Sequence, residues 1–358
     1  MRIEKNPYAV SDDVLTRIFD EPGFGKYYTD HMVQIDWSKA DGWHDARVQP
    51  YAPLTLDPAT SVMHYGQAIF EGLKAFRHPN NRVYAFRPDQ NAERFMKSAI
   101  RMAMPALPSE MFLESLTSFM ALDGRWVSPR AEQSLYIRPF MIATEVGLGV
   151  RPSSKYAFFM IASPVGPYFP QGVKPVSVWI STEFVRAAPG GTGEAKCAGN
   201  YAASLIAQAQ AAEQGCDQVV WIDATERKWI EEMGGMNLFF VYGNKIVTPS
   251  LTGTLLRGIT RDSILTLSKD LGYEPSEAMI SVDDLISGLE SGEISEVFAC
   301  GTAAAITPIG TIKSEKGTWM VQGGQPGEVT LNLRTALIDI QTGKRPDVHA
   351  WMRQVAEG

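Results

Sequence analysis

Apolar and polar positions along the chain follow two different periods. Over residues 87–104, "RPDQNAERFMKSAIRMAM", the spacing is helical. It sets Phe95, Met96, Ala99, Ile100, Ala103 and Met104 on one stripe and offers Asp89 as a cap. "NYAASLIAQAQAAEQG" (200–215) predicts an alanine-rich helix stopped by Gly215. "LRGITRDSILTLSKDLG" (256–272) predicts another, with Thr260 as its cap and Gly272 as its stop. Elsewhere the signals are those of strands. "HPNNRVYAFRP" (78–88) has a turn at Pro79-Asn80-Asn81 and a short alternating run after it. "SLYIRPFMIATEVGLGV" (134–150) reads as a buried strand running into a Gly-rich loop, and "VKPVSVWIST" (173–182) as a further strand. "DQVVWIDATERKWIEE" and "NLFFVYGNKIVTP" read as short antiparallel strands, with Gly243-Asn244 as a hairpin turn. "EVFACGTAAAITPIG" (296–310) reads as strand, small-residue turn, strand.

The mixture predicts α+β architecture. The chain has 358 residues, which at roughly 150 residues per domain suggests two domains. "SPVGPYFPQG" (163–172), with three prolines and two glycines, is the best linker in the chain. The expected division is residues 1–163, an interdomain loop at 164–172, and residues 173–358. The first thirty or so residues are expected to pack on the second domain.

Hydrophobic content of 45% fits a protein with a large core, and a net charge of −7 argues against a general nucleic-acid binder. Apolar runs such as "YAFFMIAS" (156–163) are too short to span a bilayer, and the start is polar rather than signal-like. Cys197, Cys216 and Cys300 are odd in number and widely spaced, without C-x-x-C, so neither a disulfide framework nor a zinc site is indicated. The five histidines are scattered, and no metal site is expected. A reducing, cytoplasmic setting follows as the expectation.

One fragment stands out chemically. In "GEAKCAGNYAASL" (193–205), Lys196 sits among small residues. A lysine held away from water and near other cations loses basicity and becomes a nucleophile, and small neighbours let a flat cofactor approach. On this fragment alone an ordinary exposed loop lysine is the readier explanation. A phosphate loop does not: glycine should precede the lysine and Ser/Thr should follow it, whereas Ala195 and Cys197 stand there. Neither a Rossmann fingerprint nor a G-x-S-x-G is present. Phosphate handles exist elsewhere. A helix starting at Ile259 and Thr260 would present open amides and a hydroxyl. Thr302 offers a second hydroxyl in "CGTAAA", and Arg94 lies on a helix otherwise committed to packing. Each also has an ordinary structural explanation. Glu231 and Glu232 end a strand, where alternate residues face opposite ways, so one of them should point inward.

Together, "HYGQAIFEGLKAF", "RFMKSAIRM", "YIRPF", "PVGPYF", "AKCAGNYAASL", "EEMGGMNLFFV", "LRGITRDSIL" and "CGTAAAITP" resemble, in order and spacing, the signatures of branched-chain amino acid aminotransferases. These are pyridoxal-phosphate enzymes of fold type IV, and the likeness runs over about residues 20 to 350. It implies a smaller N-terminal α/β domain and a larger C-terminal domain with a mixed, barrel-like sheet. It also implies that Lys196 carries pyridoxal 5'-phosphate covalently and acts as the catalytic base. Glu232 would pair with the pyridinium nitrogen, and Tyr201 with the phenolic oxygen. Arg94, Ile259, Thr260 and Thr302 would hold the phosphate. The amides of Thr302 and Ala303 would take the substrate α-carboxylate, and Phe70, Tyr168 and Tyr201 would line the side-chain pocket. Tyr136 and Arg138 would accept the distal carboxylate of glutamate. Tyr65, Leu148 and Val150 would serve the partner subunit's site in a homodimer. The implied reaction exchanges L-leucine, L-isoleucine or L-valine with 2-oxoglutarate. D-amino-acid aminotransferase and aminodeoxychorismate lyase share the lysine and glutamate logic; "YIRPF", "PVGPYF" and the chain length favour the branched-chain enzyme. A non-enzymatic phosphate-ligand binder would leave Lys196 and Glu232 incidental. Some mammalian members of the family carry C-x-x-C after the "GTA" turn. Here only Cys300 precedes it, so redox control of that kind is not implied.

Overall fold

The computed structural model describes residues 1–167 and 172–357, and the chain separates into two compact units. The first comprises Met1–Tyr168, Ala195–Gly199 and Ile340–Gly358; the second comprises Phe169–Glu194 and Asn200–Asp339. The first unit is therefore not one continuous stretch. A strand at Met352–Ala356, expected in the second domain, instead pairs antiparallel with residues 83–86 of the first unit. The 164–172 loop lies partly outside the described residues.

In the first unit, β1 (Arg2–Ile3), β2 (His31–Ser38), β3 (Gly42–Pro50), β4 (Ala68–Phe70), β5 (Leu73–Arg77), β6 (Val83–Phe86), β7 (Ser134–Ala143) and β8 (Lys155–Val165) form one sheet with the Met352–Ala356 strand. The pairings are antiparallel except β1 with β3. In β7, "SLYIRPFMIA", residues 135, 137, 139, 141 and 143 are buried, while Tyr136, Arg138 and Phe140 alternate with them and are only partly covered. The two-residue period thus gives one strand a core face and a face free for chemistry. Contrary to expectation, the N-terminal residues belong to this unit. Helix α1 (Asp12–Asp20) buries Leu15, Ile18 and Phe19 in the same core as Val33, Phe95 and Phe158. The short α2 (Ser61–Tyr65) follows β3.

Helix α3 (Pro88–Arg101) departs from its predicted stripe. Arg87, not Asp89, occupies the cap position, and Pro88 opens the helix, where a missing N–H costs nothing. Phe95, Ala99 and Met104 are buried, but Ile100 is 63% exposed and Ala103 lies on the surface past the helix end. The buried face instead includes polar Asn91 and Ser98. Hydrophobic spacing could not reveal this, because both are buried to make hydrogen bonds rather than to leave water. Helix α4 (Ser109–Asp123) adds Phe112 and Phe119 to the core.

In the second unit, β9 (Val176–Ile180), β10 (Gln218–Ile222), β11 (Ile230–Met233), β12 (Met236–Tyr242), β13 (Lys245–Pro249), β14 (Glu274–Ala278), β15 (Glu296–Gly301), β16 (Ala305–Ser314) and β17 (Gly317–Met320) form a mixed sheet. The pairs β9–β10, β10–β11, β11–β12, β12–β15, β15–β16 and β16–β9 return to their starting strand, closing a six-stranded barrel. Closure removes sheet edges from this part of the fold. The hairpin at Gly243-Asn244 forms as expected, with Gly243 at φ 58°. The predicted 200–215 helix is broken into α5 (Ala198–Ala202) and α6 (Leu205–Glu213). Helix α7 (Ile259–Asp270) starts one residue before Thr260, so Gly258 is its cap and Thr260 lies in its first turn. No helix among the described residues is long and apolar enough to cross a membrane.

Phe239 and Phe298 face each other across β12 and β15, fully buried, with ring centroids 5.0 Å apart. Phe298→Ala should lose about 3–5 kcal/mol through lost burial and a residual cavity. A denaturation midpoint unchanged from that of the unaltered protein would show that this pair is dispensable.

Candidate active site

Lys196 belongs to a five-residue segment packed in the first unit. Its carbonyl accepts from the Phe70 N–H at 3.0 Å, and its own N–H donates to Ser98 Oγ on α3 at 3.0 Å. An isolated antiparallel bridge joins Cys197 to Ile69. The backbone is thus pinned to both β4 and α3, which fixes where the amine points. Cys197, for which sequence reasoning yields no role, is a buried core residue beside β4. The Lys196 Nζ lies 4.8 Å from the Phe70 ring centroid. Burial, then the Arg94 charge, lower its pKa from 10.5 to about 8; Glu71 and Tyr136 oppose this, and Arg138 adds to it. Roughly a tenth of the amine is therefore neutral near pH 7, far more than for an ordinary lysine.

Glu71, absent from the sequence reading, organises this cluster. It sits with Gly72 between β4 and β5, and its N–H donates to the Pro139 carbonyl at 2.7 Å. The side chain is fully buried. Arg94 on α3 grips it with both nitrogens of a fork, Nε to Oε1 at 2.7 Å and Nη2 to Oε2 at 2.9 Å. Asn91 Nδ2 donates to Oε2 at 2.6 Å. Burial by itself would raise the Glu71 pKa, but Arg94, Lys196 and Asn91 bring it below the ordinary value, so the group stays ionised. Gly72 is required by close approach, because a Cβ there would lie 2.1 Å from the Tyr136 hydroxyl. The readable signal for Glu71 was a lone carboxylate inside the apolar run "AIFEGLKAF".

Tyr136 and Arg138 share the open face of β7. Arg138 Nη2 donates to the Tyr136 hydroxyl at 3.0 Å, and its guanidinium carbon lies 4.8 Å from the Phe70 centroid. The Arg138 Nε is buried without an acceptor among the described residues. A cleft of about 120 Å³ opens beside these side chains, bordered also by Phe24 and Tyr28. Those two aromatics were not foreseen; Phe24 meets Tyr136 edge-on at 5.2 Å. Tyr65, Leu148 and Val150 form a separate group. The Tyr65 hydroxyl donates to the Leu148 carbonyl, and all three residues are exposed. Tyr168 lies outside the described residues.

The second unit holds the other expected residues. Both carboxylates of the Glu231-Glu232 pair are buried, at 5% and 1% exposure, although only one was expected to point inward. Glu232 Oε2 lies 3.0 Å from Arg186 Nε, and Oε1 accepts from the Leu256 N–H at 2.6 Å. Asn237 Nδ2 lies within 3.4 Å of the same oxygen. Arg186 Nη1 also donates to the carbonyls of Thr254 (2.7 Å) and Gly193 (3.2 Å). Arg186, Asn237 and the Leu256 amide were missed because their contacts span strands and loops far apart in sequence. The register sets Glu232, Asn237 and Cys300 side by side on β11, β12 and β15. Burial pushes the Cys300 thiol upward, with Glu232 adding to this and Arg261 opposing it, so it stays protonated.

Two residues beyond Cys300, the β15–β16 turn opens with Thr302 and Ala303. The start of α7 is reached through Gly258, whose Cβ would lie 1.9 Å from Asn237 Oδ1. No side chain caps this helix, so the first-turn amides near Ile259 and the buried Thr260 are available to an anion. Tyr201 on α5 lies against Gly235, where a Cβ would be 3.4 Å from its ring.

Residues 68–312 match the family model of amino-transferase class IV. The probable branched-chain-amino-acid aminotransferase of Streptomyces coelicolor is 57% identical, over 99% of both chains. The branched-chain-amino-acid aminotransferase of Mycobacterium tuberculosis is 55% identical over 94% of this chain and 92% of its own. Among solved structures, the branched-chain amino acid aminotransferase from Escherichia coli superposes with a TM-score of 0.71. It is 27% identical, covering 90% of this chain and 99% of that one. A second solved branched-chain amino acid aminotransferase, complexed with N-(5'-phosphopyridoxyl)-L-glutamate, gives a TM-score of 0.73 at 27% identity, over 90% of this chain and 98% of that one. The chain belongs to the class IV aminotransferases, in their branched-chain amino acid aminotransferase family.

Glu71 favours the protonated form of Lys196, so Glu71→Gln should move the Lys196 pKa of the cofactor-free protein below about 8. The pH dependence of amine acylation at Lys196, followed by peptide mass spectrometry, reads this directly. An unchanged or higher midpoint would contradict the assignment.

Proposed function

We infer that the chain catalyses reversible, pyridoxal-phosphate-dependent transamination of L-leucine, L-isoleucine and L-valine with 2-oxoglutarate. Full-length relatedness to branched-chain aminotransferases supports the reaction. The observation that carries the lysine assignment is the Lys196 amine, pinned by its backbone and lowered in pKa beside Arg94 and Phe70.

The donor set suits the cofactor. A nucleophilic lysine, a buried carboxylate at Glu232 and an uncapped helix start with a nearby hydroxyl match an aldehyde, a protonated ring nitrogen and a phosphate, respectively. When bound, pyridoxal phosphate supplies the electron sink for charge left at the substrate Cα. Lys196 would hold the cofactor and, once released by the substrate amine, would act as the base for the proton on the substrate Cα. Glu232, oriented by Arg186, Asn237 and Leu256, keeps the ring nitrogen protonated. Arg94, Ile259, Thr260 and Thr302 hold the phosphate, and Tyr201 donates to the phenolic oxygen. The amides of Thr302 and Ala303 take the α-carboxylate.

An apolar substrate side chain, assigned to Phe70 and Tyr201, gains roughly 0.8 kcal/mol per CH₂ buried. Glutamate's distal carboxylate needs a charged partner in that setting, and Arg138, with Tyr136, provides it. The Arg138 Nε, buried without an acceptor among the described residues, supports this. Exposed Tyr65, Leu148 and Val150 support a homodimer in which they complete the partner's site. Three cysteines, all free and buried, support a cytoplasmic setting.

Borohydride treatment of the cofactor-loaded protein should fix the cofactor on Lys196. An adduct mapped to another residue, or none, would overturn the lysine assignment. Arg138→Ala should lower kcat/KM for glutamate by at least about tenfold more than for leucine, the order of one charge-assisted hydrogen bond. Equal losses in the two half-reactions would remove the distal-carboxylate role.

A further inference from the structure

The second carboxylate of the pair, Glu231, has no part in the scheme above. It faces the opposite side of β11 from Glu232, as neighbours on a strand do, and only 5% of it is exposed. Its Oε1 accepts from the Thr254 hydroxyl, while Oε2 is buried with no hydrogen-bond partner among the described residues. Two residues earlier, the Trp229 Nε1–H is also buried and without an acceptor. Both side chains border one cavity of about 210 Å³ within the second unit, whose apolar wall includes Pro249, Leu255 and Met279. Two unsatisfied polar atoms at one cavity are costly unless something is bound there.

Charge narrows what that could be. Among the described residues, Asp223, Glu226 and Glu231 border the cavity, and neither lysine nor arginine does. The Asp223 carboxylate is already engaged by the backbone N–H groups of Thr225, Glu226, Lys228 and Trp229. Arg186, whose charge reaches Glu231, is committed to Glu232 and two carbonyls. Lys228 lies over the Trp229 ring at 4.4 Å and is exposed. The Glu231 carboxylate therefore borders an apolar cavity with acidic walls, its unpartnered Oε2 just behind the cavity surface, and burial raises that carboxyl's proton affinity in the absence of a cation.

We propose that this cavity is a binding site for a small organic cation of the amidinium or guanidinium class. The cation donates to Glu231 Oε2, its flat body packs on Leu255 and Met279, and an oxygen on the same ligand can accept from Trp229 Nε1–H. The site is separate from the transamination residues and does not depend on which amino acids the enzyme uses.

Benzamidinium is a suitable probe, because it does not compete as an amine for the cofactor aldehyde. Holoenzyme labelled with ¹³C at its methionine methyl groups is titrated with benzamidinium, benzamide and benzoate, and the Met279 signal is assigned with Met279→Leu. Benzamidinium should shift the Met279 methyl saturably, while benzamide and benzoate bind at least about tenfold more weakly, the order of one charge-assisted hydrogen bond. Glu231→Gln should weaken benzamidinium by a similar factor while the bound-cofactor absorbance is kept. Equal binding of benzamide would overturn the cation assignment, and binding that leaves Met279 unmoved would overturn the site. Because the probe comparison uses the unaltered protein, it stands even if Glu231→Gln folds poorly. Loss of transaminase activity bears on the functional reading and leaves this measurement untouched.

Discussion

A carboxylate taken wholly out of water governs the chemistry of the first unit. Glu71 is ionised there because Arg94 supplies two parallel hydrogen bonds, Asn91 and the Gly72 N–H supply others, and Lys196 adds its charge. An arrangement of this kind is weak evidence for stability, since desolvation consumes most of the Coulomb energy. Its value is geometric. It holds the α3 arginine in place beside Lys196, whose pKa is lowered first by burial and then by that arginine, with Glu71 opposing, so that the ammonium form is not abolished.

The second unit repeats the device with different parts. Glu232 is buried against Arg186, and Asn237 and a backbone amide also bond to it. In both places the arginine lies on a helix or loop and the acid on or beside a strand, so the strand register decides where the charge sits. In both places a glycine is imposed by crowding: Gly72 beneath the Tyr136 hydroxyl, and Gly258 against Asn237. These glycines have no helix or turn signature of their own. They are what remains when a polar side chain must pass close to the main chain.

Much of this was legible beforehand, and the misses have a common cause. The strand through Tyr136 and Arg138, the β15–β16 turn and the hairpin at Gly243 are local properties, and they appear where the pattern put them, although the strand, read as buried, leaves Tyr136, Arg138 and Phe140 only partly covered. The stripe on α3 was misplaced because Asn91 and Ser98 are buried by hydrogen bonding, which hydrophobic spacing cannot register. Glu71 and Arg186 escaped because each depends on a partner more than twenty residues away. Thr260 was misassigned as a cap because Gly258, lacking a side chain, leaves no capping signature.

The strand at Met352–Ala356 gives the fold a timetable. It pairs with β6, residues 83–86, across an interval of more than 260 residues. At roughly 5–20 residues per second of synthesis, β6 therefore waits on the order of tens of seconds for its neighbour. During that time it is an open sheet edge, the kind of surface on which chains pair wrongly. The segment bearing Lys196 also joins the first unit late, after the bulk of that unit has been made. Completion of the first unit is thus coupled to chain elongation, and a nascent chain stalled before Met352 would display β6 as an unpaired edge.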